Sequence, residues 1–395
     1  MKKILITLIT FFSLLGAAYA DGHKEIKVGI ILGFTGPIES LTPDMASGAE
    51  LAFSEASQSG ELLGGSKLDV MRVDSTCVDS AAATSAAESL VSNGVVAIMG
   101  ADCSGVTGAV ATNVAVPNGI VLISPSATSP GLTSLEDNGV FFRTAPSDAR
   151  GGQILADITK DKGIKSVAIT YVNSDYGLGL ADVYKAAVEA HGITVTAMES
   201  HESDRADYSA DVGVLSSAGG DALAVLGYLD NAGGHLIEGS LDSGAFDTFV
   251  LSDGMIGDAL TERFGSDLDK SFGSMPGSLG EAAQLFKSVA EAGGINPSVY
   301  VGESYDAAAL IVLAMQAGNS SDKGSIVANV MSVANAPGEK IYAGELAKGL
   351  KLLADGKAVD YQGATDVTFT SVGEAEGAFI EKGISGGNWT DVAQR

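Results

Sequence analysis

The sequence predicts an α/β protein built on parallel sheets. Short apolar runs at residues 26–32, 95–99 and 120–123 read as strands buried on both faces. Helix-length segments separate them, each bounded by a cap residue, glycine or proline. The alternation occurs twice, once up to Arg143 and again from Arg150 onward, so the chain carries two α/β series.

Taken in order, strand 26–32 leads into the loop GFTGP. A helix over 43–57 follows, with Thr42 as its cap and Pro43 at its first position. Strand 68–74, a helix over 79–91 and strand 95–99 come next. Ser104 stands where a helix N-cap belongs, before a helix over 106–116 that Pro117 and Gly119 stop. Strand 120–123 exits through Ser124 to Thr128, and Phe141–Arg143 is a short strand that Pro146 redirects. The second series runs helix 152–161, strand 167–171, helix 176–190, strand 193–198, helix 208–217, strand 222–226, helix 232–242 and strand 248–251. Residues 273–276 form a further crossing. Helices over 280–291, 300–317, 323–333 and 344–353 follow with little strand between them. The tail, 367–370, 378–382 and 388–392, reads as short strands joined by turns.

This layout delivers polar side chains from the carboxyl ends of parallel strands, where open sheets bind ligands. The first series offers Ser104, Ser126 and Thr128. Hydroxyls and free N–H groups at a helix start suit an anion such as a carboxylate. Taken singly, each also fits a plain cap or turn role; their convergence points to binding. The second series offers Tyr176, Tyr228 and Asp253, two rings and one acid. A zwitterion needs a donor-rich spot and an acid a few ångströms apart, and the two series supply one half each.

Residues 1–20 read as a secretory signal: Lys2 and Lys3, an apolar stretch, then Ala18-Tyr19-Ala20 as the cleavage site. Cleavage near Ala20 gives an expected soluble periplasmic protein. Of 395 residues, 49 are acidic and 23 basic, a net charge of −26, which argues against nucleic acid or anionic membrane as partners. Cys77 and Cys103 each follow a predicted strand. In an exported chain they suggest a disulfide, the alternative being two buried free thiols.

Enzyme signatures are absent from the sequence. There is no G-x-S-x-G elbow, no Walker loop and no dinucleotide fingerprint, and the four histidines are scattered away from metal-ligand spacing. No cofactor, no metal and no catalytic residue is therefore expected, and binding without turnover is the leading class. A secreted α/β enzyme and a sensory module that hands its ligand signal to a receptor are the alternatives.

Several motifs then fall in one order and spacing: IKVGIILGFTGP, the pair Cys77 and Cys103, Cys103-Ser104 after a strand, SPSATSP from Ser124 to Pro130, FFRTAPSD, NSDYGLGLA, and ESYDAAAL from Glu303 to Leu310. Over nearly all of its mature length the chain resembles the periplasmic substrate-binding proteins of ABC importers, of the leucine/isoleucine/valine-binding type. The resemblance implies two Rossmann-like lobes with parallel sheets, joined by three hinge crossings around a ligand cleft. The N-terminal lobe would be 26–145 with 276–362, and the C-terminal lobe 146–275 with 363–395. It implies a monomer that delivers an amino acid, or a close analogue, to a membrane permease. Ser104 and Thr128, with backbone N–H groups around Ser126 and Ala127, would hold the ligand carboxylate, and Asp253 its ammonium. Tyr176 and Tyr228 would close over it. Asp253 is shorter than the family's usual glutamate, Leu41 replaces an aromatic ring, and Asp102 replaces an apolar residue. Asp102 facing the cleft would select a polar, cationic or amide-bearing side chain; turned to solvent or capping the following helix, it would select nothing.

Overall fold

The structure, a computed structural model, describes residues 25–395; the predicted signal peptide lies outside the described residues. The first sheet contains β1 (Glu25–Leu32), β2 (Lys67–Asp74), β3 (Ala97–Gly100), β4 (Val121–Ser124) and β5 (Phe141–Arg143), in the order β2-β1-β3-β4-β5, all parallel. The second begins with β6 (Ser166–Val172), β7 (Thr194–His201), β8 (Ala222–Leu226), β9 (Phe249–Leu251) and β10 (Phe272–Pro276). Its order, β7-β6-β8-β9-β10, repeats that of the first sheet. The chain then returns to the first lobe for its long helices. It carries a small parallel pair, β11 (Glu339–Tyr342) and β12 (Val359–Gly363), before β13 (Phe379–Ser385) and β14 (Asn388–Gln394) extend the second sheet antiparallel to β10.

In both sheets the strand order reverses at one place, between β1 and β3 and between β6 and β8. Such switch points leave a crevice beyond the strand ends, because the flanking helices part to opposite faces there. The first lobe's core is the helix Val301–Ala317, buried along almost its whole length. Its all-round apolar composition needs partners on every side. One partner is the helix Thr42–Ser59, which comes so close that a Cβ on Gly48 would sit 2.6 Å from the Val301 carbonyl oxygen. Asp306, buried on that central helix, accepts from the Tyr361 hydroxyl at 2.7 Å, from the Ala364 and Thr365 N–H groups at 2.7 and 3.0 Å, and from the Thr365 hydroxyl at 2.7 Å. The segment after β12 is thereby tied to the core. Among the described residues no helix is long and apolar enough to cross a membrane.

The expected elements are present with several differences. The helix expected to stop at Pro117 runs on to Asn118, with a π-helical stretch at Ala111–Ala115, and a short helix at Asp258–Phe264 adds to those expected. The helix expected to be capped by Thr42 has Leu41 at its N-cap, and the Thr42 hydroxyl donates instead to the Gly33 carbonyl at 3.0 Å. Ser104 is the first residue of its helix and Cys103 the cap; the serine oxygen accepts from the Ser129 N–H at 3.1 Å. Residues 367–370 form no strand. The Asn335 side chain takes both the N–H and the C=O of Phe369, at 2.8 and 3.0 Å, leaving one isolated bridge to Ala375. The pair β11 and β12 was not expected, because Glu339 and Lys340 are exposed and the apolar signal is a single buried Ile341.

Cys77 and Cys103 form the disulfide, with Cα atoms 5.1 Å apart. It joins the exits of β2 and β3 on either side of β1. With a separation of 26 residues, closing this loop removes denatured-state entropy worth about 3 kcal/mol. Protein purified without reductant should show no thiol available for alkylation by intact mass. Denaturant unfolding of the reduced form should shift down by that amount; labelling of both thiols without reduction would contradict the bridge.

Candidate functional site

The loops leaving the two switch points face each other across the lobes. They flank about 350 Å³ of space, part of it open to solvent, lined by Ile38, Leu41 and Met45 on one side, by Asp102, Ser104 and Ser126 on a second, and by Tyr176, Tyr228, Asp253 and Tyr300 on the others. The cleft is shut: Ser40 N–H donates to the Asp230 carboxylate at 2.7 Å, Asp230 N–H donates to the Pro37 carbonyl at 3.0 Å, and Ser129 hydroxyl donates to the Asp175 carbonyl at 3.0 Å.

The Ser124–Pro130 loop is shaped from behind by Arg143, the largest side chain that is fully buried. Its guanidinium donates to the carbonyls of Ala127 and Ser129 at 3.0 and 2.9 Å, to Thr133, and to Glu374 at 2.5 Å. Ser124 completes the turn, donating to the Ala101 carbonyl at 2.5 Å and accepting the Ala127 N–H at 3.0 Å. Ser126 reaches the cavity and donates to the Asp102 carbonyl at 3.1 Å. Ala127 and Thr128 lie one step behind the lining, both buried. The buried Thr128 hydroxyl makes no well-formed hydrogen bond; it lies beside the Asp148 carboxyl, whose ionised form it favours.

Asp253 is the electrostatic centre. Tyr176 donates to one carboxylate oxygen at 2.5 Å, and Tyr300, from the opposite lobe, donates to the other. The rings of Tyr176 and Tyr228 stack at 5.2 Å. Gly254 permits this arrangement: a Cβ there would meet the Gly227 carbonyl at 2.5 Å and both tyrosines. Burial pushes the Asp253 carboxyl above the usual carboxylate range, against the two tyrosine donors. Asp148, at the start of the helix Asp148–Asp161, is also buried, and one of its oxygens is unpartnered. Its carboxyl is pushed well up, first by burial and then by the Asp253 charge. Two carboxyls in one dry region resist ionising together. Asp102 is buried as well. Its oxygens accept from the Gly33 N–H at 2.5 Å and from the Ser75 hydroxyl and its neighbour Cys103's N–H at 2.9 Å each. Its carboxylate is thus committed to the loop exits of β1, β2 and β3. Its neighbours in the lining, Ile38, Leu41 and Met45, are apolar.

Sequence reading missed Tyr300, Ile38, Met45 and Asp148. Tyr300 stands at the start of a helix that it did predict, and Asp148 closes the FFRTAPSD motif. Neither position carries a local signal that it faces Asp253.

A family model described as periplasmic binding protein matches residues 25–344. The chain belongs to the periplasmic binding protein family. This periplasmic binding protein is 30% identical over 334 residues to Leu/Ile/Val-binding protein homolog 1 of Brucella melitensis, covering 82% of this chain and 86% of the relative. Its fold matches that of the branched-chain amino acid transporter substrate-binding protein LivJ of Streptococcus pneumoniae, solved with isoleucine, at a TM-score of 0.78 and 22% identity, over 94% of this chain and all of that one. A solute-binding protein of an ABC transporter from R. palustris, solved with benzoate, matches at a TM-score of 0.75 and 18% identity, over 94% of this chain and 96% of that one. The family is one of substrate-binding proteins and not an enzyme class.

The buried acids make stability depend on pH in a defined direction. Asp148 and Asp253 both titrate above their unfolded values, so the folded state holds the extra protons. Their contribution is full below the ordinary carboxylate range and is lost as pH rises through the raised values. Denaturant midpoints of the wild type should fall as pH rises above the ordinary carboxylate range, and Asp148→Asn should flatten that fall. An identical slope in the variant would rule out the pair as its source.

Proposed function

We propose that this chain is the periplasmic solute-binding component of an ABC importer, capturing an amino acid in the interlobe cleft and delivering it to a membrane permease. The observation that carries this reading is the single cavity in which Ser104 and Ser126 of one lobe face Asp253 of the other. In this reading the Ser104, Ser126 and Thr128 hydroxyls hold the carboxylate, while the Ser126 and Ala127 N–H groups expected to help are already given to Ser124 and shape the loop instead. Asp253 takes the ammonium, and Tyr176 and Tyr228 cover the ligand. The proposed lobes are residues 26–145 with 276–362 and residues 146–275 with 363–395, although 364–375 still packs on the first lobe through Asp306, Asn335 and Arg143 before β13 joins the second sheet. A ligand that completes contacts to both lobes favours the closed state, because only that state offers both halves.

Asp102 gives little reason to expect a polar side chain, since both its oxygens already accept protein donors. Ile38, Leu41 and Met45 offer an apolar wall, which favours an aliphatic one. Burial still holds the Asp102 carboxyl above the usual carboxylate range despite these donors, so it offers a ligand neither a free acceptor nor a ready charge.

Mass spectrometry of natively purified protein should release an amino acid. For that ligand, calorimetry should show Asp253→Asn weakening binding by ~1.5–3 kcal/mol, the scale of a charge-assisted hydrogen bond. Unchanged affinity would refute the ammonium role, and a released ligand without an amine would refute the amino-acid reading.

A further inference from the structure

A second and larger cleft lies between the lobes, beyond the Tyr300–Asp253 bridge. It spans about 1300 Å³ of non-atom space, open at its mouth. One wall is Phe286, Val299 and Glu303 of the first lobe; the other is Met275, Ile380 and Trp389 of the second. The Trp389 ring is fixed in place by its indole N–H, which donates to the Gly257 carbonyl at 2.9 Å.

Glu303 is the chemical feature of this cleft. It lines the cavity at only 4% exposure. Its main chain faces the other way, the carbonyl accepting from Thr144 at 2.8 Å. Its carboxyl receives only its own backbone N–H, and among the described residues no cationic side chain pairs with it. Burial pushes that carboxyl up to about 8. At neutral pH a carboxyl so placed keeps its proton, because a charge taken out of water is costly until a counter-charge arrives; a cation bound there displaces that proton to solvent. The other charged groups around the cleft do not supply that counter-charge. Lys382 is already paired with Asp391, Asp258 has the same sign as Glu303, and Lys287 is exposed at the mouth.

We propose that this second cleft binds a small organic ammonium ion with an apolar, aromatic-sized body, its charge on Glu303 and its body between Phe286 and Trp389. The lining mixes these apolar side chains with polar ones, Asp258, Gln284, Asn296, Lys382 and Asp391 among them; apolar side chains with a few convergent polar groups are the general form of a small-molecule site. Phe286 and Trp389 share this lining with Glu303 and offer an ammonium cation–π attraction where a ring face meets it. The site stands independently of what the first pocket takes.

The chain's only tryptophan is Trp389, so its fluorescence reports occupancy directly. Phenethylammonium chloride titrated into the mature protein should give a saturable change, matched by calorimetry. 2-Phenylethanol, the uncharged counterpart, should bind about tenfold more weakly, as loss of one charge-assisted hydrogen bond requires, and phenylacetate should not bind. Glu303→Gln should lower the affinity for the cation about tenfold and bring it level with the alcohol. Lys287→Gln, a surface change, should raise it about two- to threefold by removing a like charge. Asp253→Asn, which disables the first pocket, should leave it unaltered. No saturable change in the wild type would overturn the proposal, as would equal binding of the alcohol. Binding lost in Asp253→Asn but kept in Glu303→Gln would place the cation in the first pocket and overturn it too. If Glu303→Gln does not fold, Lys287→Gln decides: no gain in affinity overturns the site.

Discussion

The binding edge of the first lobe depends on one buried cation. Arg143 sits at the end of β5 with no access to water, and its guanidinium fills the space behind the Ser124–Pro130 loop. A guanidinium presents donors in a rigid planar fork, so it fixes the carbonyls of Ala127 and Ser129 at once and sets the loop's shape. Its counter-charge, Glu374, comes from far along the chain, just before β13. The Arg143 N–H and C=O also pair with Gly373 and Ala375 beside that acid. Loop shape, the end of the first sheet and the last segment's return are therefore one network. Removing one partner of a buried pair leaves the other uncompensated, which is why such networks hold a single arrangement.

The opposite edge is governed by acids and not by a cation. Asp253 is buried with tyrosine donors from both lobes, so the shut cleft is stitched through the same carboxylate proposed to receive the ligand. A ligand ammonium would meet an acid already oriented and partly stripped of water. Orientation is thus provided by the fold before binding, and the remaining need is for charge. Asp102 shows the contrasting use of a buried carboxylate. Three donors from the ends of adjoining strands consume it, and it serves to hold loops.

Glycine matters at few places in this design, and Gly254 is the clearest. The stacked pair Tyr176 and Tyr228 can approach the Asp253 loop because no Cβ intervenes. The repeated strand order explains why two rings meet there. Tyr176 follows β6 and Tyr228 follows β8, the strands on either side of the second switch point.

The α/β class, the doubled series and nearly every strand were legible in the residues alone, because buried parallel strands are runs of apolar residues between turn signals. The sequence also marked the polar residues that follow strand ends, since chain order alone places those at a sheet's carboxyl edge. Which of them meet is set by the packing of distant elements. Tyr300 reaches Asp253 because a helix starting in one lobe abuts the other, and Asp148 joins that acid across unrelated loops. Caps were misjudged by one residue, at Leu41 and Cys103, because Thr42 and Ser104 found partners distant in sequence. The small pair β11 and β12 had too short an alternation to be visible. Periodicity records the burial of an element, a property of nearby residues; the partner of a side chain is set by long-range packing, which no local pattern encodes.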